Sequence, residues 1–207
     1  MEYSEKVLEH FMNPKNRGKI DDADCVATEG SPACGDQVSV YLKVNPETLV
    51  IEDIKFQSYG CASNIATGSI ITEMAKGKTL AEAKKITWQD AASELDGLPP
   101  IKMHCSVLAV DTLRSAIQKY EVSHNLAEQE KFSKETIISE LEKILYPKVG
   151  KNLIELKMVK YVGWDEGVAI IDLDIPKFDE YRDNIVDEIR EHLEKYEEIK
   201  DIKITMM

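Results

Sequence analysis

Between Asp36 and Val44 the chain alternates strictly: Val38, Val40, Leu42 and Val44 are apolar and polar residues stand between them. A period of two puts one set of side chains on each face, which is the signature of a half-buried strand. Asn45-Pro46-Glu47 is a turn, and Val50 to Phe56 supplies a second strand, so this region is expected to be a hairpin. Helices are expected around it. Tyr3, Val7 and Phe11 recur every fourth residue and end at Asn13-Pro14, as an amphipathic helix does. Residues 18–36, rich in Gly, Asp, Ser and Pro, read as a loop. Cys61 to Lys76 is rich in Ala, Ile and Ser and reads as a buried helix stopped by Gly77, after which Thr79 and Glu82 form a capping-box pattern. Gly97-Leu98-Pro99-Pro100 reads as a loop. Leu108, Val110, Leu113 and Ile117 then fall near helical spacing in a helix from Met103 to Tyr120, with His104 and Cys105 at its N-terminal end.

The polar stretch 121–132 lacks an apolar stripe and marks the expected domain boundary, with a first domain over 1–124, a linker over 125–132 and a second domain over 133–207. In the second domain Ile137, Leu141, Ile144 and Leu145 give a helix ending at Tyr146-Pro147. Residues 153–163 and 167–175 read as strands. Phe178, Tyr181, Ile185, Ile189 and Leu193 form a long amphipathic helix, and Ile202, Ile204 and Met206 alternate as a last strand. The fold class is therefore α+β: a small antiparallel sheet packed against helices, followed by an α-β-β-α-β two-layer domain.

Composition narrows the function. At 43% hydrophobic and 31% charged residues the chain can bury a core. It has no run of 18 apolar residues, and its start, MEYSEKVLEH, is too polar for a signal peptide, so a cytoplasmic protein without a membrane span is expected. The net charge of −12 argues against nucleic acid as a partner. Residues 1–125 carry 13 basic and 18 acidic residues and 126–207 carry 13 and 20, so neither half is a cationic arm.

All four cysteines, Cys25, Cys34, Cys61 and Cys105, lie in the first 105 residues. They are too few for a disulfide scaffold and read as metal-binding or reactive thiols. Cys34, Cys61 and Cys105 each sit where a loop meets a strand or helix, where a thiol is half-exposed and a helix N-terminus favours the thiolate. Their separations of 27 and 44 residues are unlike the tight pairs of zinc fingers or ferredoxins, so any shared site is assembled by the fold. Three ordinary buried cysteines would show the same spacing. Asp36 is two residues from Cys34, and on a strand both can share a face. An oxygen ligand beside thiolates would hold iron less firmly than four sulfurs. His104 can add a fourth ligand or protonate a leaving sulfur. Adjacent helical positions diverge by about 100°, so a preformed Cys–His nucleophile pair is not expected there.

YSEKVLEHFMNPKN, PACGD around Cys34, YGCASNIATGS around Cys61 and LPPIKMHCSVLAVDTLRSAI around Cys105 occur in order. From about Tyr3 to Lys119 the chain resembles the IscU/NifU N-terminal family of iron–sulfur cluster assembly scaffolds. The resemblance implies a carrier rather than an enzyme, on which a cysteine desulfurase delivers persulfide sulfur. Iron joins it, and a [2Fe–2S] cluster is built and passed to recipient apo-proteins. By position, Cys34, Cys61 and Cys105 would be cluster ligands, Asp36 the labilising ligand, His104 an auxiliary ligand and Cys105 the persulfide acceptor. The same residues would hold zinc in the cluster-free form. Leu98, Pro99, Pro100, Ile101 and Lys102 resemble the segment bound by a DnaK-like chaperone, and a loop that merely orients the last helix would look the same. The spacing from Cys61 to Cys105 leaves no room for the insertion of the SufU branch.

Cys25 has no counterpart in that pattern. It reads as an exposed bystander thiol, or as a ligand that swings in on a mobile loop. Residues 134–206 weakly resemble the NifU C-terminal and SufT-like assembly domains, but Ile175-Pro176-Lys177-Phe178 stands where a Cys-x-x-Cys pair would fall, and Tyr146 and Lys148 where an acidic pair would flank the proline. The second domain is thus expected to be a docking or stabilising module without metal ligands. Trp164 reads either as an exposed contact or as a cap on the core. The reading as a whole is a cluster scaffold, with room for a homo-oligomer. Its alternatives are a zinc-dependent sulfur-transfer partner that stimulates a desulfurase and a structural zinc-binding interaction protein.

Overall fold

The structure, a computed structural model, describes residues 3–31, 35–127 and 132–207, with Ser31 described only in its backbone. Cys34 lies outside the described residues, so its assignment as a ligand stays where the resemblance put it. The chain divides into two compact units, Met1–Gln129 and Glu130–Met207.

The first unit is built on the expected hairpin. Strands β2 (Asp36–Val44) and β3 (Ile51–Tyr59) pair antiparallel, with Val40 opposite Phe56 and Leu42 opposite Ile54. Val38, Val40, Leu42 and Val44 are buried, so the alternation does set the inner face. The stretch taken as a loop over 18–36 contains a third strand, β1 (Cys25–Ser31), on the other edge of β2, giving the order β1-β2-β3. Its inward residues are small, Cys25 and Ala27, because helix α5 (Met103–Ser123) lies against it. Small residues give no apolar stripe to read.

Helix α2 (Ala62–Ala75) is buried on nearly all sides, between β3, α5 and helix α1 (Glu5–Met12). Its Ala, Ser, Thr and Gly residues permit this close packing: a Cβ on Gly68 would come within 2.5 Å of the Phe56 ring. Two short helices, α3 (Leu80–Ala83) and α4 (Trp88–Glu94), each open with a capping box, Thr79 with Glu82 and Thr87 with Asp90. The Gly97–Pro99 loop passes into a single 3-10 turn, Pro100–Lys102, that leads directly into α5.

In the second unit, α6 (Lys134–Lys143) ends three residues before Tyr146, which instead belongs to a small ladder of β4 (Leu145–Tyr146) and β5 (Lys151–Asn152). Residues 153–158 turn rather than extend, so the next strand, β6, spans Val159–Asp165. It joins β7 (Val168–Leu173) through Glu166-Gly167, both at positive φ, as a two-residue hairpin turn requires. Helix α7 covers only Arg182–Glu194, and β8 (Asp201–Met206) returns parallel to β7. Phe178, read as part of the helix's apolar face, is 95% exposed ahead of it. Its spacing to Tyr181 mimics helical periodicity, but Pro176 precedes it and the helix starts four residues later. Trp164 packs on the core beside Phe132, ring centroids 4.6 Å apart, so it caps the core.

One buried charge anchors this unit. Glu140 on α6 is 2% exposed and accepts hydrogen bonds from Tyr196 Oη at 2.6 Å, Lys143 at 2.8 Å, His192 Nδ1 at 2.9 Å and Lys195 at 3.1 Å. Burial alone would raise its pKa, but the His192 hydrogen bond and the two lysine charges hold it well below the ordinary carboxylate value. Among the described residues, no helix is long and apolar enough to cross a membrane.

Candidate metal-binding site

Three junctions of the first unit converge on one point. Asp36 is the first residue of β2, Cys61 is the N-cap of α2 directly after β3, and His104 and Cys105 lie in the first turn of α5. The site follows from the topology, because β2 and β3 deliver their ends beside the starts of two helices packed on the same sheet. Thr67 of α2 ties the helices together by donating to the Cys105 carbonyl at 3.1 Å.

The donor atoms are close. Cys61 Sγ lies 3.7 Å from Cys105 Sγ and 3.9 Å from Asp36 Oδ2. Cys105 Sγ lies 3.6 Å from Asp36 Oδ2 and 3.5 Å from His104 Nε2, and His104 Nε2 lies 3.9 Å from Asp36 Oδ2. A tetrahedral ion with bonds of about 2.0–2.3 Å to N, O and S separates its ligand atoms by roughly 3.3–3.8 Å. Five of the six donor pairs stand between 3.5 and 3.9 Å, but the atoms that all lie within 4.8 Å of one another are those of Asp36, His104 and Cys105, with Cys61 beside that group against Asp36 and Cys105. Adjacent helical positions argue against a preformed His104–Cys105 pair, although at an irregular helix start both can reach one metal; the imidazole folds back over the first turn and its Nε2 meets the thiol at 3.5 Å.

Burial and charge differ among these side chains. Cys105 is fully buried and Asp36 is 5% exposed, whereas Cys61 is half-buried. The Cys61 pKa is lowered to about 5, chiefly by the hydrogen bond from Cys105 and despite its burial. That of Cys105 moves strongly up, through the same bond, burial and the neighbouring negative charges. The 3.7 Å contact lets one thiol donate to the other and so eases ionisation of one member of the pair; of the two sulfurs, half-buried Cys61 is the more accessible.

Cys25 does not join the cluster. It is half-buried in β1 rather than exposed on a loop, and its thiol donates to the Ala116 carbonyl at 3.1 Å. Ala116 is eleven residues along α5 from Cys105, roughly 16 Å of helix. In the Leu98–Lys102 segment, Leu98 packs against the core, Pro100 opens the 3-10 turn, and Ile101 is 42% exposed.

Two residues of the site escaped the sequence reading. Gly60 is not at positive φ, yet a Cβ there would stand 2.4 Å from Asp36 Oδ1 and 2.7 Å from Asn64 Nδ2. Asn64, in the first turn of α2, is fully buried. The available signals were a glycine just before a cysteine at a strand–helix junction, and an amide three residues after that cysteine.

An α+β unit that gathers two thiols, an imidazole and a carboxylate at the mouths of two helices is a metal-binding fold of the cluster-scaffold type. The NifU-like N terminal domain model matches residues 2–151, and the chain belongs to that family. The match runs past the first unit, through α6 and into β5. The chain is 59% identical over 118 residues to the iron-sulfur cluster assembly scaffold protein IscU 1 of Archaeoglobus fulgidus, covering 57% of this chain and 76% of that protein. It is 48% identical over 124 residues to the scaffold protein IscU of Escherichia coli, covering 58% and 95%. Among solved structures, a SUF-system scaffold protein from Fervidobacterium islandicum is similar over 56% of this chain and 96% of its own, at 26% identity and a TM-score of 0.47.

Proposed function

We propose that the chain is a scaffold on which iron and sulfide are assembled into a [2Fe–2S] cluster that is then handed to apo-proteins. The carrying observation is the compact group Asp36, His104 and Cys105, with Cys61 Sγ within 3.9 Å of both Asp36 and Cys105, in a member of the NifU-like N-terminal family. Cys34, two residues before Asp36 in the sequence, completes the thiol set by the family pattern. Sulfur arrives from a cysteine desulfurase: a site thiolate attacks the outer sulfur of the enzyme's persulfide, taking it over and leaving the enzyme's thiolate. The family pattern gives the persulfide to Cys105. Each sulfur needs two electrons from an external donor to become sulfide. Asp36, the oxygen ligand, keeps the cluster labile, and His104 is the auxiliary ligand. Leu98–Lys102, with Ile101 exposed, is the segment offered to a DnaK-like chaperone, and the second unit is a docking module.

Anaerobic reconstitution with iron, cysteine and a desulfurase should give a cluster chromophore, and Asp36→Ala should lengthen its lifetime. Absence of a chromophore, with tightly held zinc instead, refutes the scaffold reading. The mixed sulfur, nitrogen and oxygen donor group favours one second reading, a zinc-loaded sulfur-transfer partner. In that case zinc-loaded protein would raise desulfurase turnover with no cluster formed.

A further inference from the structure

Two cysteine sulfurs brought into contact can bind one metal or bond to each other. Cys61 Sγ and Cys105 Sγ lie 3.7 Å apart although 44 residues separate them in the chain. A disulfide is about 2.05 Å long, so the sulfurs would have to close by roughly 1.7 Å. Each Sγ turns about its own Cα–Cβ bond, and opposite rotations of the two can cover that distance while the helices stay in place. The carriers themselves are held. The Cys61 N–H is donated to Asp36 Oδ1 at 3.2 Å, and Thr67 of α2 donates to the Cys105 carbonyl at 3.1 Å.

The two sulfurs differ in access. Cys61 is half-buried at the N-cap of α2, and Cys105 is buried beside it in the first turn of α5. That division suits a pair in which one cysteine meets an oxidant and the other resolves the product. Oxidation follows exposure and thiolate character, and a neighbouring thiol condenses with the sulfenic acid before it is oxidised further. A helix N-terminus strengthens the first role, because it favours an anion. Cys25 is not placed to take the second. Its thiol is bonded to the Ala116 carbonyl, roughly 16 Å along α5 from Cys105.

We propose that in the metal-free protein Cys61 and Cys105 are a redox pair, which hydrogen peroxide converts to an intramolecular disulfide that closes the metal site until a thiol reductant reopens it. Peroxide gives one oxygen to the Cys61 sulfur: the O–O bond breaks, an S–O bond forms and water leaves. The Cys105 sulfur then attacks the Cys61 sulfur. The S–O bond breaks, the S–S bond forms, and hydroxide leaves with the Cys105 proton as a second water. The two sulfurs together lose two electrons and peroxide gains them. A dithiol reverses the change, becoming a disulfide itself while both cysteines return to thiols. The inference rests on the scaffold reading only in counting both sulfurs as metal ligands: once bonded to each other, they leave Asp36 and His104 without them.

The test uses the full chain, stripped of metal by a chelator, with hydrogen peroxide as the oxidant. After brief exposure, two of the four cysteines should be lost to alkylation, and a non-reducing peptide map should show the Cys61 and Cys105 peptides joined. Zinc binding by the oxidised protein should be lost and should return after dithiothreitol. In Cys105→Ser, where the resolving thiol is gone, dimedone should trap Cys61 as the sulfenic acid. A bridge from either cysteine to Cys34 or Cys25, a bridge between two chains, or Cys61 carried to the sulfinic acid with Cys105 still a thiol overturns the proposal, as does unchanged zinc affinity in the bridged protein. None of these readouts involves iron: a missing cluster chromophore would remove the scaffold reading and leave this result standing.

Discussion

Gly60→Ala tests the geometry of the site most directly. The new Cβ would stand 2.4 Å from Asp36 Oδ1, 2.8 Å from Asp36 Cγ and 2.7 Å from Asn64 Nδ2. Real Cβ atoms do not approach so closely, and the backbone at Gly60 is not in the left-handed region, so the whole effect is a collision with one carboxylate and one amide. Asp36 has a short side chain in a buried position, so it can retreat only by giving up the Cys61 N–H at 3.2 Å. A hydrogen bond to a charged acceptor is worth about 1.5–3 kcal/mol. For a unit of this size, about 1 kcal/mol moves the melting temperature by roughly 3–5 °C. Metal-free Gly60→Ala should therefore melt about 5–15 °C below wild type. In an Asp36→Ala background most of that loss should vanish, because the carboxylate is gone and only the amide needs to shift. Differential scanning calorimetry of the four proteins in chelator reads both values. An undiminished loss in the Asp36→Ala background would refute the argument that Gly60 is glycine to make room for Asp36.

Other outcomes follow from the same structure. Glu140→Ala, which leaves Lys143, His192 and Lys195 without their shared carboxylate, should destabilise the second unit by about 3–5 kcal/mol in denaturant melts. The Glu140 pKa is lower folded than unfolded, so its contribution is fully present above the unfolded value near 4.3, about the free glutamate pKa, and is lost as pH falls toward the folded one. The stability of the second unit should decline below roughly pH 5, and the acid slope should flatten in Glu140→Gln. Cys25→Ser should leave zinc stoichiometry and cluster lifetime unchanged, since its thiol is bonded to Ala116 far along α5; a change in either measurement would return Cys25 to the ligand set.

Much of the first unit could be read from its residues. The alternation of Val38 to Val44, the capping box at Thr79, and the helix behind Cys105 each depend on side chains within a few positions of one another. Where the reading failed, a distant element had replaced the local signal. β1 carries small inward residues because α5 packs on it, so it looked like a loop. Phe178 kept helical spacing with Tyr181 but lies outside α7 and is solvated. Glu140 carries no signal in the sequence, because His192, Lys195 and Tyr196, which surround it together with Lys143, lie more than 50 residues away.

By itself the sequence determined the α+β class, the hairpin register that buries Val38 through Val44, and the residue types able to hold a soft metal or sulfur. It could do so because period, caps and donor chemistry are short-range properties of the chain. Only the tertiary structure decided that Asp36 reaches the start of α2 from 25 residues away and that the sulfurs of Cys61 and Cys105 meet across 44. It also decided that the His104 ring turns back onto its neighbour, and that Asn64 is left with an idle oxygen. Those facts depend on how closely two helices and a sheet pack, and that closeness is set by Gly60, Gly68 and the small side chains of α2, whose role appears only when something else occupies the space they leave.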